Sequence, residues 1–114
     1  MIQILDEILL DPVHLPAVLA LLDERYMPQA ATRGLTLLQR WVSPPVAVPG
    51  EHNRLWLLWQ VPDVWSYYGM RLGAGAEVME FWASVDKLCQ QRGRHVLGSA
   101  DQPLPLPEVQ ENVA

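Results

Sequence analysis

Apolar residues recur along this chain with two distinct periods, and one stretch has almost no period at all. In RLWLLWQV, residues 54–61, Leu55, Leu57, Trp59 and Val61 point one way and Arg54, Trp56, Leu58 and Gln60 the other. A strand wet on one side alternates apolar and polar residues. This one scarcely does, so it reads as a central strand covered on both faces. A chain of 114 residues covers one face with its own helices. The second face calls for something else, most simply a second copy of the chain.

The remaining elements follow from the same patterning. Residues 1–10 read as a first strand, with Ile2, Ile4, Asp6 and Ile8 on one face and Gln3, Leu5, Glu7 and Leu9 on the other. Asp11-Pro12 breaks it. Pro12 and Pro16 are tolerated only near a helix start, so the first regular turn begins between Val13 and Leu15. Leu15, Val18, Leu19, Leu22 and Tyr26 form the helix stripe; Pro28 interrupts it, and Gly34 stops a short continuation.

Leu35–Val42 is the second strand, with Leu35, Leu37, Gln39 and Trp41 expected on one face and Thr36, Leu38, Arg40 and Val42 on the other. A Pro-rich hairpin loop follows, up to Asn53. After the central strand, Asp63 is a plausible N-cap for a helix bearing Val64, Trp65, Tyr67, Tyr68 and Arg71. Gly73 and Gly75 break it, and a longer segment with Val78, Phe81, Trp82, Val85, Leu88 and Cys89 runs to Gly93. Residues 94–98 form a last short strand. The alternating Pro and Leu of 100–114, with an acidic end, favour an extended arm beside a domain of residues 1–99.

Strands joined through a helix are expected as parallel neighbours, and the central hairpin is antiparallel. The order strand-helix-strand-strand-helix-strand is that of the ferredoxin-like α+β fold, a βαββαβ chain with a four-stranded antiparallel sheet and its helices on one face. Two such sheets packed face to face make a dimeric α+β barrel.

The chain resembles that dimeric α+β barrel superfamily, and within it most nearly the NIPSNAP-like proteins. The resemblance rests on MIQILDEILLDP, LPAVLALLDERYMP, GLTLLQRW and NRLWLLWQVPD, and covers residues 1–99. It implies a homodimer joined through the open sheet face. It also brings a range of activities, among them cofactor-free quinol monooxygenases, haem-degrading monooxygenases, polyketide cyclases and lactone isomerases, so fold transfers better than function. NIPSNAP-like members often carry His, Trp and Tyr at alternate positions of the third strand. Here Trp59 matches, while Leu57 and Val61 stand at the His and Tyr positions.

Composition narrows the partners. A formal net charge of −5 with no basic cluster argues against nucleic acid and against an anionic membrane. The lone Cys89 forms no internal disulfide, which fits a reducing, cytoplasmic setting; it lies on the apolar helix stripe and reads as core. His14, His52 and His95 have no ligand spacing, so no metal is expected. Gly73 and Gly75 are a lone GxG not preceded by a strand, and no serine sits in a nucleophile elbow, so no nucleotide cofactor is expected.

The candidate chemistry is sparse. Asp6, among Ile side chains, is a candidate base, because burial of a carboxylate raises its pKa toward a useful value. The plainer reading is a carboxylate near a solvated edge. Trp59 can stack on a flat aromatic ligand or simply fill an interface. Tyr67, Tyr68 and Arg71, just before the Gly break, can form a pocket mouth or merely snorkel from an amphipathic helix. Two functions fit. One is a cofactor-independent monooxygenase or cyclase/isomerase acting on a hydrophobic aromatic molecule. The other is a non-catalytic dimer that binds a small apolar molecule or a partner protein.

Overall fold

The computed structural model describes residues 1–106. Strand β1 (Ile2–Leu10) ends at Asp11, whose side chain accepts the Val13 N–H at 3.0 Å and starts a single 3-10 turn over Pro12–His14. Helix α1 (Leu15–Leu21) widens into a π-helical turn, Leu22–Tyr26, before α2 (Met27–Thr32). Pro28 explains the widening. It has no N–H to donate one turn back, and its ring crowds the carbonyl there, so the turn upstream opens. Gly34, with φ +73°, closes the segment in a backbone conformation that side-chain-bearing residues avoid.

Strands β2 (Thr36–Ser43) and β3 (Asn53–Val61) form the hairpin. Its loop is tied down by Asn53, whose Nδ2 donates to the carbonyls of Pro44 (2.8 Å) and Val46 (3.2 Å). Asp63 caps α3 (Val64–Leu72) by accepting the Ser66 N–H at 2.7 Å. The expected break at Gly73–Gly75 separates α3 from α4 (Ala76–Asp86).

The last helix ends at Asp86 rather than at Gly93. The Leu88 and Cys89 N–H groups turn back onto the Val85 carbonyl, both at 2.9 Å, and Gln90 N–H already donates to Leu9 O at 2.8 Å. The chain has thus joined the sheet, and Gly93 lies inside β4 (Gln91–Leu97), opposite Glu7.

The sheet order is β2-β3-β1-β4, with every neighbouring pair antiparallel, so the molecule has the ferredoxin-like α+β fold. The strands joined through helices are parallel to each other, but they are not neighbours as the connections suggested. Strand β3 lies between β1 and β2, and β1 lies between β3 and β4. A helix is about 10 Å across, close to two strand spacings, so each crossover leaves room for one inserted strand.

A second correction concerns β2. A bulge between Leu37 and Gln39 breaks the alternation: Leu37 pairs with Trp59, whereas Trp41 pairs with Trp56. Leu37 and Trp41 therefore lie on opposite faces, because one extra residue inverts everything beyond it.

The helices stand on one face of the sheet. There Ile4, Ile8, Leu10, Leu55, Leu57, Trp59 and Val61 are buried with Val18, Leu22, Tyr26, Met70, Phe81 and Val85 in a single core. The other face carries Leu5, Leu9, Trp56 and Leu58, all half-buried, and the more open Trp41, 49% exposed. Trp59 is thus the residue under the helices and Trp56 the one on the open face.

Residues 98–106 have no regular secondary structure, and Leu104 and Leu106 are each 84% exposed. The part of the expected C-terminal arm from residue 107 onward lies outside the described residues. Among the described residues, no helix is long and apolar enough to cross a membrane.

Candidate ligand pocket and the buried pair behind it

Asp6 occupies the helix-facing side of β1, between Ile4 and Ile8, and is almost wholly buried. A carboxylate there needs a partner. The partner is Arg94, its cross-strand neighbour in β4. Arg94 Nε donates to Asp6 Oδ1 at 2.7 Å and Nη2 to Oδ2 at 3.0 Å. Trp59 Nε1 adds a third bond to Oδ2, at 2.9 Å, and Arg94 Nη2 reaches the Tyr26 hydroxyl at 3.4 Å. Burial works against the Arg94 charge, but the hydrogen bonds and charge of Asp6, helped by Tyr26, outweigh it and hold the guanidinium's pKa above the ordinary arginine value.

This arrangement corrects the expectation for Asp6. It is buried among Ile side chains, but it is not an isolated carboxylate. Three donors hold its oxygens, so it is a buried carboxylate paired within the core.

Trp59 is likewise redirected. Its ring is fully buried, edge-on to Tyr26 at 5.2 Å, and its indole N–H is spent on Asp6. It is part of the core under the helices. Around it, Tyr26, Phe81 and Trp82 form one aromatic cluster with centroid separations of 4.7 to 5.6 Å.

In front of the buried pair lies a recess of about 300 Å³, lined by Tyr67, Arg71, Trp82, Arg92 and Arg94. Helix α3 supplies Tyr67 and Arg71 one turn apart, α4 supplies Trp82, and β4 supplies Arg92 and Arg94 at alternate positions. Arg92 stacks over Trp82 at 4.5 Å from the ring centroid, with Arg94 at 5.5 Å. Arg92 is also held by Asp86, through Nε at 2.5 Å and Nη2 at 3.2 Å.

Two of the expected pocket residues, Tyr67 and Arg71, therefore come together. Tyr68 does not line this recess. It is 52% exposed, its ring lies edge-on to Tyr67 at 5.4 Å between centroids, and with Arg71 and Leu72 it lines an adjoining, more open recess. His14 is half-buried in the 3-10 turn, and His52 is exposed in the hairpin loop. His95 lies on the open sheet face, with Nε2 3.5 Å from Glu7, which also accepts from Arg54 at 2.7 Å.

Sequence reasoning missed Arg92, Arg94 and Trp82. A signal existed: an aspartate on the apolar face of one strand requires a cation on a neighbouring strand, and alternate arginines appear in the last strand. Only the β1–β4 register turns that signal into a pair.

No protein-family model matches the sequence, and no curated protein matches it. Solved structures do match in fold. An uncharacterised NIPSNAP domain protein from Burkholderia xenovorans superposes with a TM-score of 0.66 at 14% identity, over 90% of this chain and 99% of that one. A NIPSNAP family protein of unknown function from Agrobacterium tumefaciens gives 0.65 at 15% identity, over 92% and 94% of the two chains. A protein from Nitrosomonas europaea assigned as an antibiotic biosynthesis monooxygenase gives 0.65 at 10% identity, over 88% and 99%. At these identities the likeness establishes the shared fold.

Proposed function

We propose that this chain is a homodimeric binding protein for a small aromatic molecule, which it takes up in the recess between α3, α4 and the edge strand β4. One observation carries the reading: Tyr67, Arg71, Trp82, Arg92 and Arg94 converge on one concavity from three elements. Concave sites with a few convergent polar groups are the usual form of small-molecule sites. The dimer is supported by the open face, where Leu5, Leu9, Trp41, Trp56 and Leu58 form an apolar patch around the ion-paired Glu7, Arg54 and His95. The single cysteine supports a cytoplasmic location.

A second reading is cofactor-independent turnover of that ligand, by oxygenation, cyclisation or isomerisation. It is favoured by the nature of the lining groups. Guanidinium N–H donors and a phenol around one recess are the equipment that stabilises an enolate or phenolate oxygen. The neighbour assigned as an antibiotic biosynthesis monooxygenase lends it a precedent on the same fold. The occupied oxygens of Asp6 weigh towards binding alone.

Calorimetric titration of a panel of single-ring aromatics tests the binding reading. Saturable binding that Trp82→Ala abolishes supports it. Absence of any heat at millimolar ligand overturns it. Dioxygen uptake and substrate loss, followed with each ligand that binds, decide whether turnover accompanies binding.

A further inference from the structure

We infer that the ligand of this pocket is an aromatic carboxylate, with Arg71 as the principal anchor of its anionic group. The inference rests on the binding reading above and adds the charge class of the ligand.

The pocket lining has three arginines and no acidic side chain. Their states differ. Arg94 uses Nε and Nη2 on Asp6, and Arg92 uses Nε and Nη2 on Asp86. Each keeps Nη1 without a protein partner among the described residues. The Arg71 guanidinium has no ion pair or hydrogen bond among those residues, and it lies exposed at the recess. Summed over the lining arginines and their two aspartate partners, the site keeps one positive charge. It sits on a chain whose formal net charge is −5, so this cationic recess stands against the overall sign of the protein.

That pattern is what a preorganised anion seat requires. The paired arginines are held in place by their aspartates, and Arg92 also by its stack on Trp82. For these two, little side-chain entropy remains to be lost when an anion arrives. Arg71 supplies the uncompensated charge, and its planar fork matches a carboxylate with two parallel N–H donors. The buried Tyr67 ring and the flat guanidinium faces provide walls for an aromatic ring. A recess of about 300 Å³ is at the small end of ligand sites, which limits the ligand to about one ring and its substituent.

The test compares benzoate with benzamide, its neutral isostere, by isothermal titration calorimetry on the full chain at low and moderate salt. Benzoate is expected to bind at least about tenfold more tightly than benzamide, the ratio one charge-assisted hydrogen bond carries. That advantage should shrink as salt rises. Arg71→Gln, at an exposed and unpaired position, is expected to keep the wild-type melting temperature and to bind the two ligands equally. Equal affinity of wild type for benzoate and benzamide overturns the carboxylate inference and leaves the pocket reading standing. If neither they nor any aromatic in the wider panel binds, both fall together. An undiminished preference for benzoate in Arg71→Gln overturns the role given to Arg71.

Discussion

Asp6 and Arg94 lie 88 residues apart in the chain and meet as cross-strand neighbours through two hydrogen bonds of 2.7 and 3.0 Å. The Asp6 side chain is 3% exposed and that of Arg94 24%. Their contact fastens β4, the last strand to join the sheet, to β1 at its centre. Arg94 also lines the pocket, so the residue that fastens the strand belongs to the site as well.

Breaking that pair from one side is predicted to be costly. Arg94→Met leaves a buried carboxylate with only Trp59 as donor, and is expected to destabilise by about 3 kcal/mol. Asp6→Leu combined with Arg94→Met removes both charges and should cost distinctly less than the two single losses added together. Urea unfolding of the four proteins measures this; strict additivity would show that the pair is uncoupled.

Stability should fall in acid. The Arg54 hydrogen bond, opposed by burial and reinforced by His95, holds Glu7 below its ordinary pKa of 4.5. Arg92 holds Asp86 below 3.8, again against burial. A depressed folded-state value means stability that is present above the ordinary value and is lost as pH falls through the folded one. The urea midpoint is therefore expected to drop as pH is lowered through 4.5 and 3.8. Asp86→Asn should start lower at neutral pH, fall less steeply and converge on wild type in acid. Parallel curves would sink the assignment.

The open sheet face carries a prediction about assembly. Trp56→Glu places a second carboxylate directly across from Glu7 and between Leu5 and Leu9, and is expected to convert a dimer to a monomer in sedimentation velocity at micromolar concentration. Wild type sedimenting as a monomer under the same conditions would remove the reason for the apolar second face.

Cys89 should be slow to react. Burial, with Asp86 adding to it and Arg92 partly opposing, pushes its thiol above the ordinary 9.0. The thiolate is the reactive form, so alkylation at pH 8 is expected to be about tenfold slower in the native protein than in denaturant. Equal rates would place this thiol in open water.

Much of the architecture was legible in the chain, because it rests on local periodicity. The central position of β3 followed from its two apolar faces, and the Asp63 cap and the Gly73–Gly75 break followed from residue type. The end of α4 did not. Val85, Leu88 and Cys89 keep helical spacing, yet the backbone leaves the helix to pair with β1. The β2 bulge was likewise invisible, since Leu37 and Trp41 read as one face until register sets them apart.

The site divided along the same line. Tyr67 and Arg71 stand one helical turn apart and Tyr68 three residues before Arg71, so periodicity alone puts both rings beside that arginine; only the packing of α4 and β4 decides that Tyr67 lines the recess and Tyr68 an adjoining one. The sequence by itself determined which residues are apolar, where helices start and which strand is central, since these depend on neighbours a few positions away. The tertiary structure alone decided that Arg94 lies against Asp6 and that Trp59 serves that pair rather than a ligand. Strand register joins residues almost a chain length apart, and a one-residue shift would send each of those side chains to the other face.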